Sequence, residues 1–409
     1  MDELSSDSRR IRHGANLESH LVPHLHKVLR KVLFSVVTML VVLLLLEAGA
    51  RIVTPGAQSQ RFRQINQIVI FLGTQPSDLM LDFDPARFWK LKPNIAIDDP
   101  NNTFWQGTVS NSLGFRCPEF SLAKASDTLR VVCFGDSSTF GIGARMEDTW
   151  PAQLQQLLTD KIARGNPAAT DTARVRRIEV INAGVPGYTS HQGLQHMRQK
   201  LDDLDPDIVM ASYANNDFWH WDDQTDAQQA ARLNQHGDLH DFLMHSRCIQ
   251  LLDAAISRVR SAADTETIAS ASPNQHWAQA ATFNYFAPNN EWTRRVPLES
   301  FRDNVNQMAD MCEQRNLPLI LVKWPDQPQA AGNWSPRIVY QDVLEEIAAQ
   351  RRLQIADVVE LFQDNCGWSL GTYVPNDIVH VNRDGNSLAA IAARDAIERL
   401  GGRSNFLTN

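Results

Sequence analysis

Three scarcities remove whole classes of function. The five cysteines, Cys117, Cys133, Cys248, Cys312 and Cys366, are scattered and no two form a C-x-x-C pair, which argues against a zinc ribbon or a redox dithiol. A basic excess is missing too. At a net charge of −8 the chain has no surplus of cations to neutralise phosphates, so nucleic acid is set aside as a partner. No internal repeat, low-complexity tract or compositional sign of disorder is evident. The odd cysteine count leaves at least one thiol free unless chains are bridged. Cys133 falls in a strand pattern and Cys312 on the apolar face of a helix, so both read as core, while a bridge between Cys117 and Cys366 stays open.

What remains is ordinary globular material. With 409 residues, 43% hydrophobic and 21% charged, the chain suits one large domain with additions, or two domains. Its first 53 residues differ from the rest. Val32 to Leu46 is apolar apart from Ser35 and Thr38. At about 1.5 Å per helical residue it falls short of a ~30 Å hydrocarbon core, so it needs Ala48 to Val53 to reach across. Glu47 and Arg51, four apart, can pair on one helix face near the headgroups. Arg9, Arg10, Arg12, Lys27, Arg30 and Lys31 precede the run, which keeps the amino end cytoplasmic and sends the rest across. Ala48-Gly49-Ala50 also has the form of a signal-cleavage site, and a buried helix of a soluble protein is a third reading. The long amino-terminal region and Glu47 favour an uncleaved anchor. The expected organisation is a cytoplasmic segment over 1–31, a transmembrane anchor over 32–53, a loop-rich preamble over 54–125 packed on the main domain, and that domain over 126–409.

From Leu129 onward apolar runs at 129–134, 178–182, 208–213, 319–324 and 353–359 alternate with helical stretches near 148–163, 190–201, 298–315, 339–351 and 385–400. This alternation predicts an α/β fold, a parallel sheet covered by helices on both faces. Leu298, Phe301, Val305, Met308, Ala309 and Cys312 recur at helical steps, with Pro297 at a first-turn position. Asp384 is placed to cap the last helix and Gly401 to end it. One segment breaks the alternation. Residues 218–296 form an insertion beside the presumed site, read as a partly helical lid.

The chemistry concentrates in two short segments. A serine hydroxyl is a poor nucleophile unless an imidazole takes its proton and a carboxylate orients that imidazole. Ser137, in Phe134-Gly135-Asp136-Ser137 at the end of an apolar run, and Asp377 and His380, in Asp377-Ile378-Val379-His380, supply these three groups. A tetrahedral oxyanion also needs donors aimed at its developing charge. The backbone N–H groups of Ser137 and Gly187 and the side-chain amide of Asn216 are the candidates.

These residues, in this order, resemble the SGNH hydrolases, the superfamily of the GDSL esterases and lipases. Ser137 matches its first block, Gly187 in Gly184-Val185-Pro186-Gly187-Tyr188-Thr189 the second, Asn216 in Ala214-Asn215-Asn216-Asp217 the third, and Asp377 with His380 its D-x-x-H. The resemblance implies a three-layer α/β/α flavodoxin-like sandwich with a central parallel five-stranded sheet, to which the N-terminal transmembrane helix is added. It further implies a catalytic set of Ser137, His380 and Asp377 and an oxyanion hole of Ser137, Gly187 and Asn216. Two departures stand out. Ala214 replaces the usual glycine of G-x-N-D, and Ser138 stands where the GDSL motif has leucine. Trp89-Lys90-Leu91-Lys92-Pro93-Asn94 and Asn111-Ser112-Leu113-Gly114-Phe115-Arg116 resemble, more loosely, the lead-in of membrane-anchored bacterial members linked to surface polysaccharide.

Other residues are given plainer roles. Asp136 and Asp217 are expected to hold loops rather than react. Among His236, His240 and His245 the four-residue step suits metal binding on a helix face, but no third ligand stands at a convincing spacing, so they read as solvated polar residues and no metal and no cofactor is expected. Trp219 and Trp221 fit sugar stacking and core packing equally. The resulting expectation is a single-pass inner-membrane protein with a periplasmic serine esterase domain, acting on acyl esters, O-acetyl above all, of a cell-envelope or exported glycan. Acyl transfer to a sugar and non-catalytic glycan binding are the alternatives.

Overall fold

The structure is a computed structural model that describes residues 4–53, 80–97, 107–164, 175–219, 224–235, 246–249, 251–252, 293–365, 370–375 and 377–401. The chain divides into two compact units. One comprises Met1–Gln60 with Gly237–Thr267, the other Arg61–His236 with Ile268–Asn409.

The first unit is dominated by helix α1, Leu4–Val53. Its stretch Leu29–Ile52 has a mean hydropathy of 2.5 and no buried residue, so by length and composition it suits an anchor or a signal sequence. The Thr38 hydroxyl donates to the Phe34 carbonyl at 2.8 Å, satisfying itself within the helix. Near its end Arg51 Nε meets the Glu47 carboxylate at 2.8 Å, the pairing that the four-residue spacing predicts. The same carboxylate accepts from the Ser246 hydroxyl at 2.8 Å and from the Arg247 backbone N–H at 2.9 Å.

The second unit opens with two short hairpins, β1 (Leu81–Asp84) with β2 (Phe88–Leu91) and β3 (Ala96–Ile97) with β4 (Thr108–Val109). There follow β5 (Thr128–Gly135), α2 (Ser137–Phe140), α3 (Trp150–Arg164), β6 (Arg177–Gly184), α4 (Ser190–Leu204), β7 (Ile208–Ser212) and α5 (Asp226–Gln235). After the insertion come α6 (Leu298–Glu313), β8 (Leu319–Lys323), α7 (Gln327–Ala330), α8 (Ile338–Arg351), β9 (Gln354–Asp357), α9 (Val358–Asn365) and α10 (Arg383–Arg399). Strands β5 to β9 form one parallel sheet in the order β6-β5-β7-β8-β9. The chain leaves β5 to one side and later returns to its other side, so the strand order switches there. In open α/β sheets ligands bind at such a point, beyond the carboxyl ends of the strands.

The strands carry two cores because their side chains alternate. Val132, Phe134, Ile181, Val209 and Leu321 face Leu194, Met197, Phe301, Val305, Met308 and Leu344 on one side. Leu129, Val131, Cys133, Met210, Ile320 and Val322 face Trp150, Leu154, Leu158, Ala393 and Ile397 on the other. Cys133 and Cys312 are core residues, as read, and Cys117 is a free buried thiol. Cys366 lies outside the described residues. The segment before β5 is tied down by Arg130, whose buried guanidinium donates to the Ser121, Leu122 and Leu204 carbonyls and pairs with Glu179.

Three local expectations are corrected. Asn382, not Asp384, caps α10, its side chain accepting from the Asp384 and Gly385 N–H groups. Asparagine at that place reaches both orphan donors while Asp384 complements the helix dipole within the first turn. Pro297 precedes α6 as its extended N-cap rather than opening it. The apolar run 353–359 is part strand and part helix, because α9 begins at Val358 directly after β9. Met308 is wholly buried between α6 and the sheet. Met308→Ala is therefore expected to cost about 2–5 kcal/mol, read as a lower urea midpoint at unchanged m-value.

Candidate active site

Ser137 follows β5 by two residues and opens the single turn α2. Asp136 makes that turn by capping it, its carboxylate accepting from the Ser138 N–H at 2.8 Å. Gly135 is needed just before it, because a Cβ there would come within 2.1 Å of the Thr139 hydroxyl.

Asp377 and His380 lie in the loop that leads into α10. One carboxylate oxygen of Asp377 accepts from the Val379 and His380 backbone N–H groups, at 2.7 and 2.9 Å, which folds the loop around it. The other oxygen is 2.7 Å from His380 Nδ1, and His380 Nε2 is 2.8 Å from Ser137 Oγ across 243 residues of sequence. A carboxylate can only accept, so Nδ1 carries the proton and Nε2 is left to accept from the serine hydroxyl. Burial pushes the Asp377 carboxyl up, but the imidazole beside it and the backbone donors outweigh this and hold it below its ordinary value. The three side chains are buried at the carboxyl end of the sheet.

Gly187 has φ of +78°, a conformation that suits glycine. Among the described residues neither its N–H nor that of Ser137 has an acceptor. Asn216 is positioned between the two blocks. Its amide nitrogen donates to the Tyr188 carbonyl at 2.9 Å and, at a longer 3.4 Å, to the Asp136 carboxylate. One of its two N–H groups is thus committed to the loop that holds Gly187, which the motif alone does not reveal.

Asp136 and Asp217 hold loops, as expected of them. Asp217 accepts from the Ser190 N–H and hydroxyl, at 2.9 and 2.6 Å, and from the Ala214 N–H at 3.1 Å. Burial pushes its carboxyl up to about 7 against the pull of those donors, and burial likewise raises Asp136. Trp219 is buried and stacked on Phe218 with centroids 6.0 Å apart, so it packs the core. His220, Trp221, His236, His240 and His245 lie outside the described residues.

Several supporting residues carried no signal in the sequence. Arg295 and Asp226 form a buried ion pair at 3.0 Å, and Arg295 also donates to the Gly187 carbonyl at 2.8 Å. Arg337, also buried, donates to the Trp324 carbonyl at 3.0 Å and to the Asn215 side chain. Nothing in the local sequence distinguishes either arginine, and only the fold gives it carbonyls to hold.

Residues 133–388 match the model of the GDSL-like lipase/acylhydrolase family, and the chain belongs to that family of ester hydrolases. No curated protein matches it. Solved structures similar to it include a lipase/acylhydrolase from Enterococcus faecalis, at 17% identity and TM-score 0.37, covering 66% of this chain and 96% of that one. Another is an α/β hydrolase from the metagenome of Lake Arreo, at 16% identity and TM-score 0.39, covering 67% and 97%. A third is a catalytic mutant of an acetylxylan esterase from Geobacillus stearothermophilus, at 14% identity and TM-score 0.38, covering 66% and 94%.

Two measurements follow from this geometry. Ala214 has φ of +97°, where a Cβ is strained. Such strain costs about 1–3 kcal/mol and the extra freedom of an unfolded glycine about 0.4–1, so Ala214→Gly should raise the unfolding free energy by about 1 kcal/mol. An unfolded aspartate titrates near ~3.9, so the folded state holds an extra proton on Asp217 between that value and about 7. Its stabilising contribution is full below the lower value and is lost as the pH rises through the upper one. Compared with Asp217→Asn, the wild type should therefore lose up to about 1.4 kcal/mol per pH unit over that window, measured by denaturant unfolding.

Proposed function

We propose that this protein is a serine esterase that removes short acyl groups, O-acetyl above all, from a cell-envelope or exported glycan. The observation that carries this reading is the continuous hydrogen-bonded line Ser137–His380–Asp377, with its 2.8 and 2.7 Å links. Ser137 Oγ attacks the ester carbonyl as its proton passes to His380 Nε2. Asp377 stabilises the imidazolium so formed without itself taking the proton. The tetrahedral oxyanion is received by the N–H groups of Ser137 and Gly187 and by the Asn216 amide. Its collapse expels the sugar hydroxyl, which leaves with the proton from His380. Water, deprotonated by the same imidazole, then cleaves the acyl-enzyme and releases the acid.

The glycan is suggested by the likeness of the lead-in over Trp89 to Asn94 to anchored bacterial proteins. The apolar stretch Leu29–Ile52 supports an uncleaved, single-pass anchor in the inner membrane, and the basic residues before it favour a periplasmic hydrolase domain. The ester-bearing glycan and the membrane are then the partners.

The test is acetate release from a panel of O-acetylated glycans and p-nitrophenyl esters. The wild type should release acetate, Ser137→Ala should abolish release, and Asn216→Ala should lower kcat by about 10²–10³. Equal release by wild type and Ser137→Ala would overturn the esterase reading. Acetyl recovered on an added sugar, in place of free acid, would make the enzyme a transferase using the same residues.

A further inference from the structure

The oxyanion-binding loop is held by its carbonyls, and the donors come from three distant parts of the chain. Trp89 Nε1 donates to the Pro186 carbonyl at 3.0 Å, Arg295 Nη1 to the Gly187 carbonyl at 2.8 Å, and Asn216 Nδ2 to the Tyr188 carbonyl at 2.9 Å. The carbonyls of three consecutive residues are thus each held by a side-chain donor. The first of them matters most. The Pro186 carbonyl and the Gly187 N–H belong to one planar peptide and point in opposite directions. Whatever fixes that carbonyl fixes the aim of that N–H.

We infer that Trp89 is a positioning residue for this site: its indole N–H pins the Pro186–Gly187 peptide so that the Gly187 N–H stays directed at the oxyanion. This rests on the reading of Gly187 as an oxyanion donor given above. Trp89 is wholly buried, and its own carbonyl accepts from the Tyr188 hydroxyl at 2.5 Å, so it and the loop clasp each other. The preceding residue, Phe88, has φ of +69°, a genuine outlier for a bulky aromatic side chain. Strain of this kind persists only where the surroundings enforce it, and it clusters at functional sites. Asp84 enforces it here by accepting from the Ala86 and Arg87 N–H groups and pairing with Arg87 at 2.9 Å. The Arg87 carbonyl accepts in turn from Gln192 Nε2 at 2.7 Å, which ties the β1–β2 turn to α4. A hairpin outside the main sheet is therefore built to deliver one N–H to one carbonyl. Donation to that carbonyl also polarises the peptide and strengthens its N–H as a donor.

The indole N–H can be removed without its volume by placing 3-benzothienylalanine, in which sulfur replaces the N–H, at position 89 of the full chain, with Trp89→Phe as a second variant. For the isostere we expect kcat on p-nitrophenyl acetate to fall about tenfold, less than outright loss of a donor costs, with KM and thermal midpoint little changed. A second readout does not depend on turnover. The sequence has two Pro–Gly pairs, 55–56 and 186–187, so carbonyl-13C proline with 15N-glycine labelling yields two amide correlations. The Gly187 nitrogen should shift in the isostere and the Gly56 nitrogen should stay. An unmoved Gly187 signal would overturn the proposal, as would a moved signal at unchanged kcat, or a kcat loss that only tracks a loss of folded protein. Failure of the esterase reading is separate: it would show as turnover that Ser137→Ala leaves intact, whatever the Gly187 nitrogen does.

Discussion

The loops at the carboxyl ends of β5, β6 and β7 must bury polar backbone without a strand to pair it, and two carboxylates meet that requirement. Asp136 accepts from Ser138 in its own loop and lies within 3.4 Å of the Asn216 amide. Asp217 accepts from Ser190 at the start of α4 and from Ala214 beside the Asn216 turn. Each ties one loop to another, so the Ser137 turn, the Gly187 loop and the Asn216 turn form one unit. An unpaired buried donor costs about 1–3 kcal/mol, and these two side chains remove several such penalties at the place where the site must be rigid. Burial raises the pKa of each, and the donors around them offset that cost in part.

Much of this was readable beforehand. The five strands announced themselves because a parallel sheet covered on both faces needs continuous apolar runs, and the runs at 129–134, 178–182, 208–213 and 319–324 overlap the observed strands closely. That Ser137, Asp377 and His380 belong to one candidate site, joined in the structure by hydrogen bonds, was legible because triad chemistry demands those residue types in short polar turns after strands or before helices. The blind spots share a cause. Asn382 in place of Asp384, and α9 inside an apolar run, are choices between local options that only packing decides. The left-handed Phe88 and the reach of Trp89 to Pro186, 97 residues away, have no local signature at all.

The insertion is tied in at both ends by partners of one another. The Asp226 N–H donates to the Arg295 carbonyl at 2.7 Å, the Arg295 N–H to the Trp219 carbonyl at 2.8 Å, and the two side chains pair in the interior. The described ends of the excursion are thus closed into one buried cross-link. Thr189 joins it, its hydroxyl donating to Asp226 at 2.6 Å.

That cross-link also bears on what the ion pair is for. A buried pair is weak evidence of stability, because desolvating two charges offsets most of their attraction. Arg295 and Asp226 do more than attract. Between them their side chains hold Gln192, the Gly187 carbonyl and the Thr189 hydroxyl, all on the segment from Gly187 to Gln192. A hydrophobic pair of equal volume would fill the same space and leave that carbonyl unheld. The charges are therefore better explained by the geometry they impose on one loop than by free energy of folding. The same holds for the strained hairpin at Phe88 and Trp89, which spends backbone energy to reach the adjacent peptide of that loop.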